Sequence, residues 1–115
     1  MASRRDQRMS DQLALCLDET KFDAFHAANP KVYTTLVRLA REWVAKTGRH
    51  KVGISALYEV ARWEIALATT DADFKIDNSH RAFYSRLIMA QERDLDGLFD
   101  VRTSKADLWI AGAVA

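Results

Sequence analysis

The chain of 115 residues has very little cysteine, proline or glycine, and each shortage excludes something. Its one cysteine, Cys16, has no partner for an internal disulfide and no second thiolate for a paired-cysteine metal site. Its one proline, Pro30, leaves almost the whole sequence free to form helices. The four glycines form none of the glycine-rich patterns that cradle phosphate groups.

Long apolar runs and a dominant charge are also missing. The longest uncharged apolar stretch, Leu108 to Ala115, is far shorter than the roughly 20 residues that span a bilayer. Met1 to Asp18 hold no apolar core of signal-peptide length, so we expect a cytoplasmic protein with no membrane partner. The 17 Lys+Arg and 16 Asp+Glu give a net charge of +1, which by itself points to no class of partner.

Residue types that carry catalysis or bind metal are present but scattered. His26, His50 and His80 are far apart in the sequence and lack the close pairing that a helical metal site uses. The aspartates between Thr69 and Asn78 lack the glycine and terminal glutamate of a calcium loop, and are more simply turn and cap residues. No serine-hydrolase motif occurs. We therefore expect no enzyme, no metal and no cofactor.

The sequence predicts an N-terminal arm followed by one domain. The sequence predicts a basic arm with a short helix over residues 1 to 18 and a single domain over residues 19 to 115. The leucines of the segment Met9 to Leu17 lie beyond the main core and need a cover, which predicts a homodimer through this segment. The basic residues of the arm are Arg4, Arg5 and Arg8.

Helical periodicity dominates the first two thirds of the domain. A helix is predicted over Glu19 to Ala28, and Asn29-Pro30 then marks the start of a second helix to about Thr47, which Gly48 ends. A further helix over Ile54 to Leu67 is apolar around most of its circumference, which is typical of a central helix.

Side-chain positions on this apolar helix follow from its central placement. Trp63 is predicted in the core and Arg62 on the narrow exposed strip. Glu64 falls within the apolar arc, so we expect a buried ion pair with Lys75 or with a residue of the helix that begins at Pro30.

The C-terminal part predicts a helix and a β-hairpin. The helix begins at Asn78 or Ser79 and runs to about Glu92. After it, Phe99 and Val101 alternate with Asp100 and Arg102, and the β-compatible run Leu108 to Val114 follows a polar turn, which predicts two strands. The segment His50 to Val52 is short enough for one small strand or a plain turn. The predicted fold is mainly α with a small C-terminal β-hairpin, an α+β domain like a winged helix-turn-helix. A small mixed domain whose hairpin only covers the core is the alternative.

This order of elements predicts double-stranded DNA as the partner. A helix that enters the major groove needs a face of small and polar side chains, and a wing needs basic or hydroxyl groups at its tip. We therefore predict DNA binding by residues of the last helix and of the wing. They are Ser79, His80, Arg81, Ser85, Arg86, Arg93, Arg102, Ser104 and Lys105.

Four segments together resemble a known group of proteins. They are FHAANPKVY (Phe25 to Tyr33), ISALYEVARWE (Ile54 to Glu64), DFKIDN (Asp73 to Asn78) and LFDVR (Leu98 to Arg102). In these segments the chain resembles small uncharacterised proteins encoded by bacteriophages and prophages, especially those of actinobacteria. The resemblance implies a phage context, in which small proteins bind DNA or engage a host protein, and it brings no functional residues with it.

Two function classes therefore stay open. The first is a DNA-binding phage protein that acts on host or phage transcription. The second is a phage protein that binds and alters a host protein, using the segment Met9 to Leu17 or the apolar tail Leu108 to Ala115.

Overall fold

The computed structural model describes residues 18 to 101 and 105 to 113, and every regular element within these ranges is helical. The elements are α1 over residues 18 to 28, α2 (Pro30–Thr47), α3 (Ile54–Ala68), α4 (Arg81–Gln91) and α5 (Lys105–Ala113), with 3-10 turns at Asn78–His80 and Arg93–Leu95. No strand occurs in the described residues, so the predicted α+β fold of winged-helix type is wrong.

The predicted start and end of α2 are confirmed. Pro30 lies in the first turn, and the Asn29 side-chain amide donates a hydrogen bond to the Phe25 carbonyl at 3.0 Å. Asn29 therefore closes the end of α1. At the other end, Gly48 adopts a φ of 69°, which costs little only for glycine, and its N–H donates to the Val44 carbonyl.

The rotation of α3 about its own axis differs from the prediction. Trp63, which was expected in the core, is 68% exposed. Arg62, which was expected on the exposed strip, is half-buried. The residues that α3 does bury are Leu57, Tyr58, Ala61 and Ile65.

Hydrogen bonds to the segment before α4 fix this rotation. The Tyr58 hydroxyl donates to the Asp77 carbonyl at 2.6 Å, and Arg62 donates to the Ile76 carbonyl at 3.1 Å. Apolar side chains surround most of α3, so hydrophobicity alone leaves the buried side undetermined. These polar contacts, made to residues distant in sequence, decide it.

The C-terminal hairpin is also replaced by helix. Phe99 to Val101 is irregular, and the predicted strand over Leu108 to Val114 lies mostly within α5. A short apolar run has no periodicity that separates a strand from a packed helix, and the alanines of this run favour helix. The segment His50 to Val52 forms no strand, although the Val52 N–H donates to the Leu98 carbonyl at 3.1 Å.

The core is centred on the aromatic ring of Phe22 in α1. This ring stacks on Phe83 with centroids 5.0 Å apart and meets Tyr84 and Trp109 edge-on, each at 4.9 Å. The cluster therefore joins α1, α4 and α5. In addition, α2 packs against α3 and α4, and α3 also contacts α4.

Candidate functional site

The residues that were predicted to bind DNA differ widely in exposure. Within this set Ser79 and Arg93 are exposed, Arg81 is partly exposed, and His80, Ser85 and Arg86 are buried. Arg102 and Ser104 lie outside the described residues, and Lys105 is the first residue of α5. The helix predicted from Asn78 or Ser79 to about Glu92 was expected to carry a continuous exposed polar face. The described residues of α4 form no such face.

The contacts of Arg86 explain why this face is not exposed. Its side chain is only 6% exposed, with Nε donating to Asp107 Oδ1 at 2.8 Å and Nη1 donating to the Ala82 carbonyl at 3.0 Å. Asp107 belongs to α5, so the pair joins α4 to α5. The arginine that was expected to lie deepest in a DNA groove is held between two helices.

His80 and His26 belong to the aromatic core. The His80 ring stacks on Phe25 with centroids 4.7 Å apart, and the His26 ring is parallel to Phe22. Burial lowers the pKa of each imidazole below its ordinary value, against the opposing charge of Asp23 on His26. Both rings are therefore neutral packing groups at pH 7.

Exposed basic side chains on α2 are paired with carboxylates. Arg41 donates through Nε to Asp94 at 2.9 Å, and Arg38 pairs with both Glu42 and Glu64. Exposed pairs of this kind contribute little to stability because solvent screens them, so their main effect is on the pattern of surface charge. That pattern alternates in sign, whereas a DNA-binding surface concentrates basic groups on one face.

Glu64 has a different environment from the one predicted. Its partner is Arg38 of α2, which confirms the predicted pairing with a residue of that helix, but Glu64 is only partly buried. The predicted burial of the pair is wrong because the outer side of α3, with Trp63 beside Glu64, faces solvent.

The outer side of α3 carries a stripe of apolar residues that sequence reasoning missed. We call Ala56, Val60, Trp63 and Leu67 the α3 ridge, since their spacing of four, three and four places them in one line along the helix. Val60 is 45% exposed, Trp63 68% and Leu67 72%. Large apolar side chains exposed in a contiguous line mark a surface that another molecule covers.

The sequence did contain a signal for this ridge. Its spacing is that of a coiled-coil seam, in which apolar residues alternate at intervals of three and four. A second apolar line through Leu57, Ala61 and Ile65 is the one that faces the core. Both lines together made α3 look like a central helix, although only one of them is buried.

Shallow depressions flank the ridge on both sides. A groove between α2 and α3, with a volume of about 250 Å³, is lined by Leu39, Trp43, Leu57 and Val60 among others. The Trp43 indole N–H donates to the Lys51 carbonyl at 3.0 Å, which leaves the ring as a wall of this groove. On the other flank a largely apolar hollow of about 390 Å³ includes Phe74.

A polar cleft of about 270 Å³ brings together some of the predicted DNA-binding residues. Ser79, Arg81, Ser85 and Arg86 line it at the start of α4, and Arg81 donates to the hydroxyl of Ser55 at 3.0 Å. Asp100 lines the same cleft with its negative charge. Because Arg86 already binds Asp107 and Asp100 opposes anions, the α3 ridge is the stronger candidate site.

Comparisons with known proteins identified no relative of this chain. No family model matches the chain, and no curated protein or solved structure matches it. The resemblance to bacteriophage proteins therefore stays a prediction. No described helix is long and apolar enough to cross a membrane, and no cluster of potential metal ligands occurs among residues 18 to 101 and 105 to 113.

Proposed function

We propose that this chain is a protein-interaction module that binds a helix of a second polypeptide chain along the α3 ridge. The observation that carries the proposal is the exposure of Trp63 and Leu67 in one line on α3. The resemblance to phage proteins implies a host protein as the alternative partner, and the proposed setting is the cytoplasm.

The energetics of binding favour this surface over the others. Tryptophan is enriched at the centres of protein interfaces, where its burial dominates the binding energy. At about 25 cal/mol per Å² of apolar surface, covering one exposed indole and one exposed leucine contributes several kcal/mol. The groove beside Val60 and the hollow beside Ala66 supply walls for the side chains of a bound helix.

The geometry also suits a helical ligand. A ridge with three- and four-residue spacing fits between the side chains of a second helix, in the way that amphipathic helices dock into grooves. DNA binding stays a prediction beside this proposal.

Site-specific photo-crosslinking in the producing cells tests the proposed function. A benzophenone amino acid replaces Trp63 in one variant and the exposed Lys21 of α1 in a matched control. We expect a discrete protein adduct from position 63 that the added change Leu67→Ser removes, and none from position 21. Equal labelling at both positions, or no adduct at position 63, would refute the proposal.

A further inference from the structure

We infer that the helix bound on the α3 ridge is α3 of a second copy of this chain, packed antiparallel about a two-fold axis. The inference rests on the proposed function and names its partner. In this arrangement the α2–α3 pair of one copy faces the α2–α3 pair of the other, so four helices form the interface.

Side-chain size along the ridge fits this antiparallel pairing. With the axis midway along the ridge, Val60 of one copy faces Trp63 of the other, and Ala56 faces Leu67. Each pair joins a smaller with a larger side chain, which keeps the helix separation even along the contact. A parallel pairing would instead place two tryptophans opposite each other and two alanines opposite each other.

The charges on α2 fit the same axis. Contacts across the α2–α3 pair place Arg38 level with Glu64, and Glu42 near Val60. The two-fold axis that pairs the ridges therefore brings Arg38 of one copy to the level of Glu42 of the other, and the reverse. Opposite charges then flank the seam on both copies, which is complementarity of a surface with itself.

The surface area needed for a stable complex explains why α2 also belongs to the proposed interface. A specific interface buries about 800 Å² on each partner, more than one helix face supplies. The groove residues Leu39 and Trp43 extend the apolar surface from α3 onto α2. The net charge of +1 adds almost no repulsion between two copies.

Light scattering and sedimentation of the full chain provide the first test. We expect a dimer that Trp63→Ser converts to monomer. Leu108 on α5 is 67% exposed, so Leu108→Ser removes a comparably exposed apolar side chain away from the ridge and should leave the dimer intact. A helical circular dichroism spectrum for each variant verifies that it is folded.

Cysteine crosslinking tests the register in a Cys16→Ser background. Ala56→Cys with Leu67→Cys should give a covalent dimer under mild oxidation, because these positions face each other between copies. Within one α3 they are about 16 Å apart, too far for an internal disulfide. Either cysteine alone is the control, and efficient crosslinking of Leu67→Cys alone would indicate a parallel pairing and overturn the inference.

The outcomes separate this inference from the proposed function. A monomer whose position 63 still crosslinks to a different protein overturns the second-copy inference and leaves the proposed function standing. A monomer with no such adduct overturns both. A dimer that survives Trp63→Ser assembles through another surface, such as the segment Met9 to Leu17 outside the described residues, and also overturns the inference.

Discussion

At the residue scale, neighbouring side chains on α3 have opposite roles. Arg62 donates to the Ile76 carbonyl, to the Asn78 side chain and to Glu59, and so holds α3 against the segment before α4. Trp63, one position further, has most of its surface in solvent. Size and hydrophobicity alone would assign them the reverse roles.

Arg62→Ala should therefore destabilise the monomer more than Trp63→Ala does. Loss of the bond to the buried chain segment should lower the free energy of unfolding by about 1 kcal/mol. Trp63→Ala should stay within about 0.5 kcal/mol, as for exposed positions in general. Urea denaturation at protein concentrations below those that favour self-association measures both, and a larger loss for Trp63 would contradict the rotation of α3.

Arg86 and Arg93 should differ in their contribution to stability. Arg86→Ala removes a buried guanidinium from Asp107 and should cost about 2 to 3 kcal/mol of stability. Arg93→Ala changes an exposed side chain and should be nearly neutral. If both substitutions left the denaturation midpoint unchanged, the link between α4 and α5 through Arg86 would be wrong.

At the element scale, the sequence predicts the helix ends that are determined by local residue types. Asn29-Pro30 and Gly48 delimit α2, because the conformations of proline and glycine are local properties. The rotation of α3 depends on hydrogen bonds to residues 76 to 78, and no local pattern contains them. The same holds for α5, whose helical state is supported by packing of Trp109 on Phe22 and Phe83.

The candidate site escaped sequence analysis for the same reason. The ridge is visible as a spacing of apolar residues, but its exposure follows from the rotation of α3. Arg86 was assigned to DNA by its residue type and helical position. Its burial depends on Asp107 in α5, a segment whose short apolar run was interpreted as a strand.

The attachment of α1 to the remainder should depend on pH. Burial lowers the pKa of His26 and of His80 in the folded state, while the unfolded chain titrates near the ordinary value of about 6.5. The unfolded chain therefore binds more protons below that pH, and stability falls as the pH drops below about 6.5. Above about pH 7 both imidazoles are neutral in the folded and in the unfolded chain, so they impose no loss of stability.

Denaturation midpoints at pH 7.5 and pH 5.5 measure this dependence. We expect a lower midpoint at pH 5.5 for the natural sequence. The double variant His26→Phe with His80→Phe keeps aromatic rings in the cluster and should reduce the difference. An equal difference in both proteins would assign the pH dependence to other groups.

At the scale of the whole molecule, the distribution of surface charge disfavours DNA binding. Pairs such as Arg41 with Asp94 and Lys51 with Asp100 place carboxylates beside exposed basic groups. Phosphate contacts supply most non-specific affinity for DNA, and each neighbouring carboxylate opposes them.

We therefore expect no binding of random duplex DNA in fluorescence anisotropy at about 20 µM protein and about 50 mM salt. Binding that weakens steeply with added salt would restore DNA as the partner. Loss of that binding in Arg93→Ala, compared with Lys46→Ala on α2, would then locate it at the start of the 3-10 turn after α4.

The exposure of Trp63 also gives the chain an optical reporter. Trp43 and Trp109 are partly buried, and their indole N–H groups donate to the Lys51 carbonyl and to Asp23, each at 3.0 Å. Iodide should therefore quench mainly the fluorescence of Trp63. When a partner covers the ridge, the emission should shift to shorter wavelength and the quenching should fall, so association is readable in the unlabelled protein.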